Sequence, residues 1–218
     1  MYDGCGMTLS KIFKKKEYAE NFVKGNIRFS SPESYRKSEK EKYPGRHDDY
    51  EGMFYWVKEG SGNIIIKNKE KVPIEKIPIG ISNVKLYSEY GIFSMYTIMS
   101  DVKKQISIDK KISNLGEWVV ILKDTQEFIN RIDEYRELHP ELQMRYEFAN
   151  YDNNDYSDIN EDHMFKKRKE YDYQQEFRIV IAPENEIGYP YAIKIKMEDI
   201  CTMVTIKDLY DIRVEDEN

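Results

Sequence analysis

The chain has 218 residues, 13 % of them aromatic, and a net charge of −6. It can bury one sizeable core and is too aromatic for a disordered chain. The acidic balance argues against general nucleic-acid binding, which needs phosphate neutralisation, and no apolar run approaches the ~20 residues of a membrane span.

Cys5 and Cys201 lie far apart and make neither a metal nor a redox motif. The first thirteen residues carry no apolar signal-peptide core, so the expected compartment is the cytoplasm. Residues 1–7 read as a loose lead-in and 8–13 as a strand. Residues 15–24 read as a helix: Ala19, Phe22 and Val23 share a face, and Gly25 stands at the C-cap. Residues 26–30 follow as a strand, and Ser31-Pro32-Glu33 opens a second helix. A polar loop covers 40–51. Residues 53–57 and 64–66 read as a hairpin around Ser61-Gly62-Asn63. The prolines of 72–78 point to an edge or loop.

Strands are expected at 84–87, 92–98 and 118–122. Residues 124–138 make the clearest helix, with Asp124 as cap, Phe128, Ile132, Tyr135 and Leu138 as its apolar stripe and Pro140 as its stop. A strand at 142–148, a polar loop at 150–160 and a basic helix at 162–171 come next. Three strands follow, at 176–181, 191–196 and 202–206, then a frayed acidic tail over 209–218. The fold class is α+β: one domain, a mostly antiparallel sheet and a few flanking helices.

Three groupings carry chemistry. In the first, Asp48, Asp49 and Glu51 sit beside Arg46 and His47. Carboxylates this close repel and favour a cation or a ligand donor; the plain alternative is a solvated turn. In the second, Gln174, Glu176 and Arg178 alternate on what reads as one strand, so they share a face. A Glu beside an apolar run is costly unless paired. Arg178 or Arg28 could pair it, either as a rim ion pair or as the wall of a site. In the third, Ser94 interrupts an apolar strand with Tyr96 on its face. No GxSxG elbow surrounds it, and the three His residues lack metal-ligand spacing.

These stretches resemble an uncharacterised family of bacterial and phage proteins. Gly25-Asn26-Ile27-Arg28-Phe29-Ser30-Ser31-Pro32 is similar to its Arg-Phe-Ser-Ser-Pro strand, Asp48-Asp49-Tyr50-Glu51 to its Asp-Pro-Phe-Glu motif, and Tyr171-Asp172-Tyr173-Gln174-Gln175-Glu176-Phe177-Arg178 to its Tyr-x-Tyr-Glu-x-Glu-x-Arg strand. Ile92-Phe93-Ser94 stands where members have Cys-Phe-Ser. The family's Asn-Asp-Pro is replaced by His47-Asp48-Asp49, and its Met-Trp-x-x-Tyr helix is absent after Met95.

More remotely, the layout is similar to that of ADP-ribosyltransferases. In that resemblance Arg28 or Lys11 is the early cation, Ser94 the middle serine, and Gln174-Gln175-Glu176 the late Gln-x-Glu. It implies NAD as substrate, no metal, and Glu176 with Gln174 as catalytic residues. Arg28, Ser30, Arg46, Asp48, Glu51, Ser94, Tyr173 and Arg178 would bind the ligand. Glu176 would face the positive charge that develops on ribose as the nicotinamide bond breaks, an Arg would hold the pyrophosphate, and a Tyr would stack on nicotinamide. The expectation is an NAD-consuming enzyme, acting in phage–host conflict. The alternative is a non-enzymatic binding protein that sequesters a nucleotide or docks on a host or defence protein. A third reading is a nuclease using Asp48, Glu51 and Glu176 around a divalent ion.

Overall fold

A computed structural model describes residues 6–36, 90–100, 106–152, 164–185 and 187–213, together with the backbone of four short strands between 55 and 81. The expected loop over 40–51 and strand over 84–87 lie outside the described residues, as do Arg46, Asp48 and Glu51.

The apolar, β-branched runs become the centre of the molecule. Met7–Phe13 is β1, Gly91–Met99 β7, Trp118–Leu122 β8, and Glu176–Ile181 β12. With Arg145–Phe148 (β9) and Cys201–Thr205 (β14) they form a six-stranded sheet in the order β14-β8-β1-β7-β12-β9. Every pairing in it is antiparallel. The α+β class expected from the sequence is the fold observed.

Both faces of this sheet are covered. Lys16–Val23 (α1) brings Ala19 and Phe22 to one face, and Thr125–Leu138 (α3) brings Phe128 and Ile132. Asn26–Phe29 (β2) pairs with Tyr191–Lys194 (β13), adding Ile27, Phe29 and Ile193 to the same core. The opposite face packs Ile12, Tyr96, Ile98 and Val119 against Ile112 and Leu209. Fully burying side chains of this size stabilises by roughly 1.5–3 kcal/mol each. Ile112 belongs to a 3-10 helix, Lys110–Leu115. Leu209 belongs to Ile206–Tyr210 (α4), whose Thr205 and Asp208 make a reciprocal capping box. A helix anchored by the buried Leu209 thus occupies the start of the expected tail.

Gly25 closes α1 with φ at +91°. Its missing Cβ is what lets β2 lie against the chain after β13: an added Cβ would stand 1.9 Å from the Ile195 carbonyl oxygen. The Pro32–Arg36 helix (α2) starts where Ser31-Pro32 placed it.

Several expectations are corrected. The hairpin of 53–57 with 64–66 does not form. Tyr55–Val57 (β3) pairs with Ile79–Ile81 (β6), while Asn63–Ile65 (β4) pairs with Lys71–Pro73 (β5). Ser61 and Gly62 of the expected turn lie outside the described residues, Asn63 opens β4, and the choice of partner is tertiary. The proline-rich stretch opens as an edge strand, as expected: Pro73 ends a two-stranded ribbon in which, among the described residues, β5 pairs with β4 alone. Leu138, expected in the apolar stripe, is 76 % exposed at the last position of α3. Leu142 sits in a 3-10 turn, Pro140–Leu142, rather than in a strand. The loop at 150 begins as Asn150–Asp152 (β10), which pairs in parallel with Lys166–Arg168 (β11). The basic helix over 162–171 is therefore overturned: its middle is a strand, and Lys169–Gln174 is a 3-10 helix. No helix among the described residues is long and apolar enough to cross a membrane.

Candidate functional site

The site arises where the sheet divides. β1 pairs with β7 only through Met7–Ser10, and with β8 through Ser10–Phe13. Beyond Ser10, β1 stays with β8 while β7 stays with β12. β2 wedges in from the far side: Ile92 and Ser30 exchange both backbone bonds, at 2.8 and 3.0 Å. A gap is left between Lys11–Phe13 on one strand and Phe93–Met95 on the other. Backbone direction alternates along a strand, so Ser94 turns its amide and carbonyl the same way as Ile92, into the gap. Lys11 Nζ donates to that carbonyl oxygen and stands 4.7 Å from the Phe93 ring centroid.

The gap opens into a cleft of about 690 Å³. Phe22 and Phe93 of the main core line it, and so do Ile12 and Tyr96 of the opposite core. The cleft thus reaches from one face of the sheet to the other through the division. Tyr18 and Tyr35 add further aromatic wall. Among the described residues, the charged lining side chains are Lys11, Arg28, Lys167 and Glu176, three cations against one carboxylate. In a chain of net charge −6, this is a local reversal of sign.

Glu176 opens β12 at the inner wall. Its Oε1 accepts from Lys167 Nζ at 2.6 Å and its Oε2 from Arg178 Nε at 2.7 Å. The three side chains are 11, 7 and 1 % exposed. Burial pushes the Glu176 carboxyl up, but the two cations and their hydrogen bonds outweigh it and hold the group well below the usual carboxylate range. Arg178 is anchored in turn, NH1 donating to the Met164 carbonyl at 2.6 Å. The Glu176 amide donates to Tyr151 Oη at 2.8 Å.

Of the expected site residues, Arg28, Ser30, Ser94, Gln174 and Glu176 come from three separate segments to line this one cleft. Arg178 lies behind Glu176, and Tyr173 behind Gln174, whose Nε2 donates to Tyr173 Oη at 3.1 Å. The aromatic walls are other rings than Tyr173. The shared-face reading of Gln174 with Glu176 is corrected in its cause. Gln174 ends the 3-10 helix, and Gln175 takes a left-handed turn with φ at +38° before β12 starts. The two side chains meet through Lys167, not through strand alternation. Arg178 is the pairing partner of Glu176, as one of the two expected possibilities; Arg28 instead lines the cleft, exposed, with no ion pair among the described residues.

Lys167 is the residue that sequence reasoning missed. The run Lys166 to Lys169 reads as a charged helix, and nothing in its spacing marks one lysine for burial. Among the described residues no cluster of three or more His, Cys, Asp or Glu is placed to hold a metal ion. Both Glu176 oxygens already accept from cations, and Asp48 and Glu51, its expected partners in a metal site, lie outside the described residues.

No family model, curated protein or solved structure matches the chain.

Proposed function

We propose that the cleft binds an anionic nucleotide of the NAD or ADP-ribose kind, with Glu176 accepting ribose hydroxyls and Arg28 and Lys11 facing the phosphates. The observation that carries this is the sign reversal: three cations and one fixed carboxylate converge on an aromatic-walled cleft in an acidic chain. Its volume of about 690 Å³ falls within the usual ~300–1,000 Å³ of small-molecule sites. Aromatic rings suit a base or nicotinamide, and cations suit a pyrophosphate.

NAD cleavage is the second reading. It is favoured by the meeting of Arg28, Ser94, Gln174 and Glu176 in one cleft, the groups that the resemblance to ADP-ribosyltransferases assigns. In that reaction Glu176 acts as a fixed negative charge rather than a base, because a carboxyl held so far below its usual range has little proton affinity. The two paired cations weaken this role. Lys167, Glu176 and Arg178 together carry one net positive charge, which opposes a developing ribosyl cation. Binding is therefore the first conclusion and turnover the second.

Calorimetry with NAD, ADP-ribose and adenosine tests the first reading. NAD and ADP-ribose bind, and adenosine, lacking phosphates, binds far more weakly. At ~100 times its dissociation constant a ligand adds about 2.7 kcal/mol of stability, readable as a thermal shift. Arg28→Ala lowers ADP-ribose affinity by about 10–100-fold, the range of a charge-assisted hydrogen bond, and leaves the melting temperature of the free protein unchanged. Equal binding of adenosine and ADP-ribose sinks the phosphate assignment. Nicotinamide release from NAD, followed by chromatography, separates turnover from sequestration.

A further inference from the structure

Lys167 stands at the centre of the three-residue β11, and its Nζ donates to Gln174 Oε1 and Glu176 Oε1, both at 2.6 Å. An ammonium carries three protons, so one side chain fixes two cleft-lining groups at once. The consequence for Gln174 is directional: with Oε1 accepting from the ammonium, Nε2 turns to Tyr173 Oη. For Glu176, each oxygen accepts one cation and keeps a further acceptor position, and neither offers a proton.

We propose that Lys167 is the positioning residue of the cleft, holding Gln174 and Glu176 so that the inner end of the ligand meets a fixed carboxylate acceptor and must present hydroxyl donors to it. This deepens the nucleotide reading above and rests on it. The ligand class it selects is a phosphorylated sugar that enters with its diol towards Glu176 and its phosphates towards Arg28. Among the described residues, the groups that face Glu176 are Lys167 from β11, Arg178 from its own strand, Gln174 from the 3-10 turn, Tyr96 across the β7 pairing and Tyr151 at its amide. Lys167 and Arg178 are the cations among them. Removing Lys167 leaves the burial that favours a neutral carboxyl and halves the charge that opposes it.

The test compares the whole chain as wild type, Lys167→Met and Lys167→Met/Glu176→Gln. Methionine keeps a long unbranched side chain and removes the charge. ADP-ribose affinity is measured calorimetrically from about pH 4 to 8. Glu-labelled, ligand-free protein is titrated by carbon NMR over the same range. In wild type, the Glu176 carboxyl stays ionised through the window. In Lys167→Met it titrates at higher pH, and affinity drops by about tenfold per unit of pH below its new midpoint. Glu176→Gln in the same background removes that added slope. A Lys167→Met protein that binds like wild type at every pH, or whose Glu176 titrates like wild type, overturns the proposal. If ADP-ribose fails to bind wild type, the nucleotide reading falls by itself. The positioning role is then decided on ligand-free protein: the Glu176 carboxyl and Gln174 amide resonances move in Lys167→Met if Lys167 holds them, and unmoved resonances overturn it.

Discussion

Two arginine-centred networks in this protein use the same chemistry in opposite surroundings. On the surface, Arg131 grips Asp199 with two bonds of 2.8 and 2.9 Å and Glu127 with one of 2.7 Å. Arg131 also donates to the Lys196 carbonyl, tying α3 to the segment before β14. At the cleft, Arg178 and Lys167 grip Glu176. In the first, Asp199 is 43 % exposed; in the second, no member exceeds 11 %. Water screens the first pair and substitutes for a lost partner. In the second, a lost partner leaves a buried charge alone. The lesson is that bond count and bond length do not rank these networks. Burial does, and it is the two cations, acting against that burial, that keep the Glu176 carboxylate ionised at the cleft.

Breaking the buried network has the largest effect. Arg178→Ala costs about 3–5 kcal/mol, the usual penalty for removing one member of a buried pair, measured by urea denaturation; a loss under 1 kcal/mol would mean the network is hydrated. Acid gives a smaller, graded version of the same test. The folded Glu176 carboxyl lies below its unfolded value of about 4.3. Its contribution is complete above that value and is lost as pH falls towards the folded one. Urea midpoints should therefore fall below about pH 4, and Lys167→Met should flatten that fall. A next, local step is the cap of α3. Asp124 accepts from the Glu127 amide at 2.8 Å, and Asp124→Ala costs about 1 kcal/mol, visible in the same unfolding curves. Asp199→Asn has the smallest effect. Its carboxyl is held below the usual range chiefly by the Arg131 hydrogen bonds, yet it is open to water. The loss should be less than that of the cap and should shrink in high salt; an effect as large as that of Arg178→Ala would erase the distinction between the networks.

The surface network and the cap were half legible in the sequence, because Glu127 and Arg131 are four apart on a clear helix and Asp124 precedes its first turn. The cleft was legible in pieces. Arg28, Ser94, Gln174 and Glu176 each stood out as polar residues in or beside apolar strands. What joins them did not. Lys167 lies in a three-residue strand that, among the described residues, pairs with β10 alone, and a run of basic residues has no period to report which lysine turns inward. The division of the sheet was equally hidden, since Lys11–Phe13 reads as ordinary strand whichever neighbour it keeps.

Local chemistry therefore determined the long elements. The apolar runs of β7, β8 and β12, the stripe and cap of α3, Gly25 after α1 and Ser31-Pro32 before α2 all follow from interactions within a few residues, and each element formed where those interactions placed it. Tertiary structure decided the rest: which strand the short segments chose, where β1 leaves β7, and which cations reach Glu176. The physical reason is range. Backbone preference and side-chain period are written in neighbouring residues. Pairing of three-residue strands and burial of a single lysine depend instead on groups remote in sequence, brought together only when the sheet closes around them.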